Sequence, residues 1–249
     1  MNVVVLGVDE HRADTVMLLR LDGGRVSALS LPRDTWVTVP GRGESRLNRT
    51  YEQYGPDVLV DVVADLTGQR VDHWAAVDMA GFERLATAVG GVEVCLRAAT
   101  SDRFAGADFP AGRQTITGAA ALAFVRQRHG LPNGDLDRVV RQQVFVRGLV
   151  DKLVTTVLTD PVREAELSEL VRSVVRTDPG WSPVALAAQA TGPVRAATIP
   201  IADAEFQTEA GFALKVEPAE VRRFAAGFFT PEPGGSTPSP GSGGDGCVN

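Results

Sequence analysis

Residues 2–31 read NVVVLGVDEHRADTVMLLRLDGGRVSALSL, and this stretch decides the fold. Val and Leu crowd 2–8, 14–21 and 25–31 in runs too short for buried helices and bounded by turn residues, which predicts three strands. Asp22-Gly23-Gly24 supplies the positive-φ residues of a tight hairpin between the last two. The opening is therefore a small antiparallel meander. With its turn centred near Gly23, residue 14 falls opposite about residue 32, which gathers Asp9, Asp14, Arg33 and Asp34 at one sheet edge.

Beyond the meander, the pattern turns helical over 51–66 and Gly68 stops it. A strand over 73–77, a helix over 79–89 capped by Gly90-Gly91, and a strand over 92–96 follow. A polar loop then runs to about Gly112, and Thr117 is expected to cap a helix over 119–125. Past a loop at 130–134, Asp135 is the natural N-cap of a long helix over 136–153. Helices near 162–175 and 183–190, a strand over 194–199 and a helix over 216–229 complete the pattern. Strands interleaved with helices predict an α/β fold, a three-layer α/β/α arrangement with a central mixed sheet covered on both faces. We expect one domain over 1–230. From 231 to 249 Pro, Gly and Ser dominate and nothing apolar offsets the ordering entropy, so a disordered tail or linker is expected there.

The 249 residues are 44% hydrophobic and 22% charged, the profile of a globular protein of one or two domains. No apolar run approaches the roughly 18 residues of a membrane span. Because an apolar strand begins at Val3, directly after Met1, we expect the natural chain to extend upstream. The net charge of −6 excludes nucleic acid as a partner, since such binders need surplus cations to displace counterions. The two cysteines, Cys95 and Cys247, form no zinc spacing and are compatible with one disulfide or with two free thiols.

Two constellations carry chemistry. Around Asp9 and Asp14, two carboxylates joined by a cation would favour Mg²⁺ or Mn²⁺, because the donors are oxygens and a single His, His11, lies near. The alternative is that both acids serve the turn and Arg33 pairs with one of them. The second constellation is Arg126, Arg128, Asp135, Arg138, Arg141, Gln142 and Gln143. Arg126 and Arg128 share a face if their segment is extended, and Arg138, Arg141 and Gln142 fall at i, i+3 and i+4 of a helix. Guanidiniums in the first turns of a helix oppose its dipole, which points to a phosphate-sized anion held in bidentate forks. A solvated Arg/Asp face is the alternative. His129 borders this cluster, and phosphate-loop, dinucleotide and nucleophile-elbow motifs are absent from the sequence.

These constellations, in this order, resemble the LytR-CpsA-Psr family of cell-envelope phosphotransferases. The likeness lies in Val4 to Asp9, Arg12 to Met17, Ser30 to Thr35, Arg46-Leu47-Asn48 with Tyr51, Val71-Asp72-His73 to Gly81-Phe82, Gly90-Gly91-Val92, Phe124 to Arg128, and Gly134 to Gln143, and it spans about 2–228. It implies a domain that holds a polyprenyl-pyrophosphate-linked glycan and transfers it to a peptidoglycan acceptor, at the outer leaflet of a membrane and anchored through a segment upstream of this sequence. Carried over residue by residue, it implies Mg²⁺ (or Mn²⁺) on Asp9 and Asp14, with Asp135 supporting the metal or orienting an Arg. Arg33, Arg46, Arg126, Arg128, Arg138, Arg141 and Gln142 would hold the pyrophosphate, with Asp9, Asp14, Arg33 and Arg138 taking part in catalysis. The family has a longer loop between the two acids than Glu10 to Ala13, and commonly Lys at the place of Arg46. A non-catalytic lipid-phosphate binder or regulator, or a pyrophosphatase on the same lipid, is the competing expectation. The lipid tail is expected against Val58-Leu59-Val60, Val62-Val63 and the 144–154 helix, where ordinary core packing would account for the same residues.

Overall fold

The computed structural model describes residues 1–184, 192, 194–230 and 247–249, and only the backbone of 157–159 and 161. The expected helix near 183–190 lies almost wholly outside the described residues. The chain adopts the expected α/β architecture with a central mixed sheet, and its contacts gather into two compact units interleaved along the sequence. The first comprises Met1–Ala76, Thr177–Trp181 and the stretch that begins at Arg195, and the second comprises Val77–Arg176 with the remaining described residues.

The first unit carries the meander. β1 (Asn2–Asp9) pairs antiparallel with β2 (Arg12–Asp22), and β2 with β3 (Arg25–Ser30). Gly23 and Gly24 take φ of 54° and 83°, the conformation a two-residue hairpin demands and side chains resist. With β6 (His73–Asp78), β11 (Val175–Thr177) and β12 (Val194–Thr198), the sheet runs β11-β6-β1-β2-β3-β12. Val4, Leu6, Val16, Leu18 and Leu29 are buried with Leu59, Val62 and Val63 of α1 (Leu47–Thr67) and Val221, Ala225 and Phe229 of α6 (Pro218–Phe229). Each such side chain stabilises the fold by about 1.5–3 kcal/mol. Leu59, Val62 and Val63 are thus core residues of this unit.

Helix α1 starts four residues before the expected 51 and is kinked where Gly55 (φ 81°) precedes Pro56, which cannot donate to the helical ladder. Gly68 ends it in the left-handed conformation, as read from the sequence. Two hairpins escape the apolar pattern: β4 (Trp36–Val39) with β5 (Gly43–Arg46), and β13 (Asp203–Thr208) with β14 (Gly211–Lys215). β4 is only four residues long, though its Val37 and Val39 are buried, and β5, β13 and β14 hold a single buried residue, Ala213, so no long hydrophobic run marks either hairpin.

In the second unit, Asp78 caps α2 (Met79–Ala88) by accepting from the Gly81 amide. β7 (Val92–Leu96) pairs with β10 (Gly112–Ile116), and β8 (Thr100–Asp102) with β9 (Ala107–Phe109), so the segment expected as one loop contains a short hairpin. α3 (Gly118–Arg126), α4 (Asp135–Thr159) and α5 (Pro161–Val174) follow. Two capping expectations are corrected. Thr117 sits at the N-cap of α3 without a side-chain bond, and Gly134, not Asp135, caps α4, which leaves Asp135 as its first residue. Phe124 and Phe145 are buried together, with Phe109 edge-on to Phe124 at 5.7 Å.

The end of the expected disordered tail belongs to this unit as well. Cys247 is bonded to Cys95, the Val248 amide donates to the Cys95 carbonyl at 2.9 Å, and the Arg97 amide donates to the Val248 carbonyl at 2.9 Å. Val248 is buried. A covalent tether and a strand-like bridge to Leu96 supply what composition lacks, so the expectation of disorder fails for these three residues. Among the described residues no helix is long and apolar enough to cross a membrane.

Candidate functional site

In the first unit, Asp14 and Arg33 are brought together by two local devices. The β1–β2 register passes from Gly7 opposite Thr15 to Val8 opposite Ala13, so Asp14 is the extra residue of a β-bulge. Ala13 and Val16 point into the core, while Asp14 and Thr15 between them are both half-buried, a break in strand alternation that turns the carboxylate away from the core. Arg33 sits in the turn after β3. The Thr35 amide and hydroxyl both donate to the Pro32 carbonyl, the Asn48 amide donates to the Arg33 carbonyl, and the Leu214 amide to that of Asp34. Held on three sides, Arg33 donates from Nη1 to Oδ1 of Asp14 at 2.7 Å and lies 3.4 Å from Asp34. The neighbourhood expected of Asp14, Arg33 and Asp34 is present.

Asp9 ends β1 opposite Arg12, where the hairpin closes through Glu10 at φ 52° and the exposed His11. Arg46 is the residue before α1, and its Nη2 donates to the carbonyls of Ala210 at 2.6 Å and Phe212 at 2.7 Å, in the β13–β14 turn. That terminal nitrogen ties two loops, whereas the buried Nε of Arg46 and the buried Oδ1 of Asn48 have no hydrogen-bond partner among the described residues. Unpaired buried polar atoms are costly and invite a ligand.

Among the described residues no group of three or more His, Cys, Asp or Glu gathers around a possible ion. The expected ligands in this unit, Asp9 and Asp14, are both half-buried carboxylates. That fits Mg²⁺ held by one or two carboxylates together with phosphate oxygens and water, and does not fit an all-protein cage.

In the second unit, Gln127 is extended (φ −56°, ψ 133°) and fully buried between the exposed Arg126 and Arg128, so the two arginines share a face as the sequence implied. Asp135 accepts from Nη2 of Arg138 at 2.8 Å and lies 3.9 Å from Nη1 of Arg128. The carboxylate expected to support a metal or orient an Arg is therefore engaged by two guanidiniums. Arg138 is only 5% exposed, and Gln142 donates from Nε2 to the Val125 carbonyl at 3.2 Å.

Arg141 departs from the expectation. It is fully buried and donates to the Asn249 carbonyl at 2.6 Å, to Oε1 of Gln127 at 2.7 Å and to the Thr100 hydroxyl at 3.1 Å, with its guanidinium 4.7 Å from the Phe124 ring. These contacts take all three of its nitrogens, so the expected pyrophosphate ligand is an internal brace. Gln143 is buried too. The helical spacing puts 138, 141 and 142 on one face of α4, and all three are nearly buried, with Arg141 the one whose three nitrogens are all taken by protein partners.

One charged residue here escaped the sequence reading. Asp102 is buried and accepts from the amides of Phe104, Ala105, Arg128 and His129, with Nδ1 of His129 at 3.3 Å. Burial alone would raise its pKa, but the four amides outweigh it and hold the carboxyl at about 2. Asp102 thereby pins the segment that carries Arg128, and no spacing in the sequence announces it. His73, far along the chain from both constellations, pairs with Asp178 at 2.8 Å and stacks on Trp181.

Residues 1–215 match the profile of the LytR_cpsA_psr family. The chain is 37% identical to the cell wall biosynthesis protein LcpA of Corynebacterium glutamicum, over 95% of this chain and 52% of that protein. It is 31% identical to the polyisoprenyl-teichoic acid–peptidoglycan teichoic acid transferase TagU of Enterococcus faecalis, over 71% of this chain and 61% of that one. The chain thus spans about half to three fifths of the length of these relatives. Its fold is that of the LytR-Csp2A-Psr enzyme from Actinomyces oris (TM-score 0.78, 24% identity, 91% of this chain and 89% of that one). It is also that of TagT bound to LI-WTA (TM-score 0.72, 20% identity, 92% and 88%). On the strength of the profile match over residues 1–215, the chain belongs to the LytR_cpsA_psr family.

Proposed function

We propose that this chain is a phosphotransferase of the cell envelope that moves a glycopolymer from a polyprenyl-pyrophosphate carrier onto a peptidoglycan hydroxyl, outside the cytoplasmic membrane. The half-buried Asp14–Arg33 pair carries the reading, because a carboxylate and a guanidinium fixed 2.7 Å apart by a bulge and a locked turn are the equipment of phosphoryl transfer, where positioning and charge neutralisation supply most of the catalysis. The names of the relatives, a cell wall biosynthesis protein and a teichoic acid transferase, support the substrate class.

In the proposed reaction the acceptor hydroxyl oxygen forms a bond to the sugar-bearing phosphorus. The bond from that phosphorus to the bridging oxygen breaks, and polyprenyl phosphate leaves with the electron pair. The hydroxyl proton passes to Asp9 or Asp14. Arg33 donates to a phosphate oxygen as charge moves onto it, and the second unit by itself carries Arg126, Arg128 and Arg138, whose forks suit a phosphate group. Mg²⁺, when bound by Asp9 and Asp14, would neutralise part of the phosphate charge.

The test is a transfer assay with lipid-linked glycan, Mg²⁺ and peptidoglycan. Acceptor-dependent appearance of glycan on peptidoglycan supports the proposal. Phosphate release that ignores the acceptor would make the chain a pyrophosphatase, and saturable binding without turnover a lipid-phosphate binder.

A further inference from the structure

The strongest unassigned feature is the network around Arg141. Helix α4 grips the 125–129 segment at two points: Gln142 donates to the Val125 carbonyl, and Arg141 donates to Gln127. Gln127 relays the grip, since its Nε2 donates to the His129 carbonyl at 3.2 Å. The Thr100 hydroxyl closes the circle, accepting from Arg141 at 3.1 Å and donating to Oε1 of Gln127 at 3.2 Å. Arg126 and Arg128 lie on either side of buried Gln127.

The third nitrogen of Arg141 donates to the Asn249 carbonyl, and this partner comes from the far end of the chain. It is delivered by the Cys95–Cys247 disulfide and the two backbone bonds that seat Val248 beside Leu96. Burying a guanidinium is unfavourable unless its donors are satisfied, and desolvation brings the Arg141 pKa down to about 10, where it stays cationic at neutral pH. Leu or Met would fill the same space at lower cost if packing were all that was needed.

We infer that Arg141 is a positioning residue that sets Arg126 and Arg128 for phosphate binding, and that Cys247–Asn249 is the clamp that completes it. Removing either loosens the 125–129 segment while leaving both exposed guanidiniums in the chain. The inference rests on the phosphate-binding role proposed above for those two arginines.

The test uses the whole chain with Arg141→Gln, Arg141→Lys and the pair Cys95→Ser/Cys247→Ser, each kept well below its melting temperature. Amide exchange over 125–129 is read by mass spectrometry, and affinity for geranyl pyrophosphate by calorimetry. The expected result is exchange faster by tenfold or more over 125–129, and affinity weaker by about tenfold, in Arg141→Gln and the serine pair. Arg141→Lys, which keeps the charge but not the three-way fork, should behave the same. Wild-type exchange, or wild-type affinity, in a folded Arg141→Gln or Arg141→Lys overturns the inference. If Arg141→Gln does not fold, the lysine variant and the serine pair decide by the same two readouts. If the wild-type protein binds no geranyl pyrophosphate, the proposed function fails at the lipid, and exchange over 125–129 alone decides whether Arg141 positions that segment.

Discussion

Arg33 reaches Asp14 across 2.7 Å although 19 residues separate them, because a bulge turns the carboxylate out of β2 while the Pro32–Thr35 turn holds the guanidinium above it. Such a pair is positioned before any ligand arrives. Arg33→Ala is therefore expected to lower the transfer rate by the equivalent of about 2–4 kcal/mol, the loss of one donor to a developing oxyanion. Because the variant also leaves Asp14, only 18% exposed, without this countercharge, a lower unfolding midpoint is expected as well, and the rate is measured well below that midpoint. Turnover within twofold of wild type would remove Arg33 from the chemistry.

Asp135 plays the converse part in the second unit, a carboxylate between two arginines. Asp135→Asn takes the countercharge from Arg138, which is nearly buried. Because Asp135 is itself about a third exposed, solvent screens part of the loss, and a destabilisation of about 1–2 kcal/mol is expected rather than the 3–5 of a deeply buried pair. Urea unfolding measures it, and an unchanged midpoint would show that Asp135 does not stabilise Arg138. Arg138→Ala should cost about 2–4 kcal/mol of transition-state stabilisation in the transfer assay.

The sequence made the meander legible because Gly23-Gly24 and three aliphatic runs agree on one geometry, and register arithmetic from that turn brought residue 14 to the level of Arg33. It made the shared face of Arg126 and Arg128 legible for the same reason, a strict period of two. What stayed hidden depends on partners distant in sequence. Arg138, Arg141 and Gln142 have one helical spacing and three different partners, and periodicity cannot tell a face lined for a ligand from one braced against Gln127 and Asn249. The hairpins at 36–46 and 203–215 have strands too short for a long apolar run, with Val37, Val39 and Ala213 their buried residues, and Cys247–Asn249 is ordered by a covalent bond that composition does not encode.

Asp102 makes the second unit sensitive to acid. Its carboxyl ordinarily titrates at 3.8, and four amide donors overcome burial to hold it at about 2. A depressed carboxylate pKa adds stability above the unfolded value, and that stability drains away as pH falls from about 4 through 2. Asp102→Asn should lose about 2 kcal/mol at pH 7, the worth of hydrogen bonds to a charged acceptor, and should flatten the acid slope in that window. A slope identical to wild type between pH 4 and pH 2 would show that another group governs acid unfolding.

The proposed reaction makes metal dependence testable. With Asp9 and Asp14 as its proposed ligands, the first unit should hold Mg²⁺ weakly until phosphate oxygens complete the shell. Chelation should abolish transfer while leaving the melting temperature of the ligand-free protein unchanged, and Mg²⁺ or Mn²⁺ should restore turnover. Asp9→Asn is expected to raise the Mg²⁺ concentration for half-maximal rate by about tenfold, since a carboxamide is a poorer ligand than a carboxylate. Full activity in excess EDTA would exclude the ion from the reaction.

Gly90 and Gly91 provide a test of the scaffold, because adjacent residues with the same sign of φ face different surroundings. Both are in positive-φ conformations, at 77° and 88°, and their amides close the end of α2 on the carbonyls of Thr87 and Ala86. An added Cβ at Gly90 meets nothing within 4 Å, so Gly90→Ala should cost only the backbone strain, about 1 kcal/mol. At Gly91 the same atom would lie 2.6 Å from a methyl of Thr117, 2.7 Å from one of Thr115 and 3.0 Å from the Ile116 carbonyl. Two side chains and a backbone oxygen, at the end of β10 and the N-cap of α3, would have to move, which adds about 1–3 kcal/mol of overpacking to the strain. Urea midpoints should rank wild type above Gly90→Ala and Gly90→Ala well above Gly91→Ala. Equal midpoints for the two variants would show that the α2–β7 corner yields more easily than the close approach to Thr117 implies.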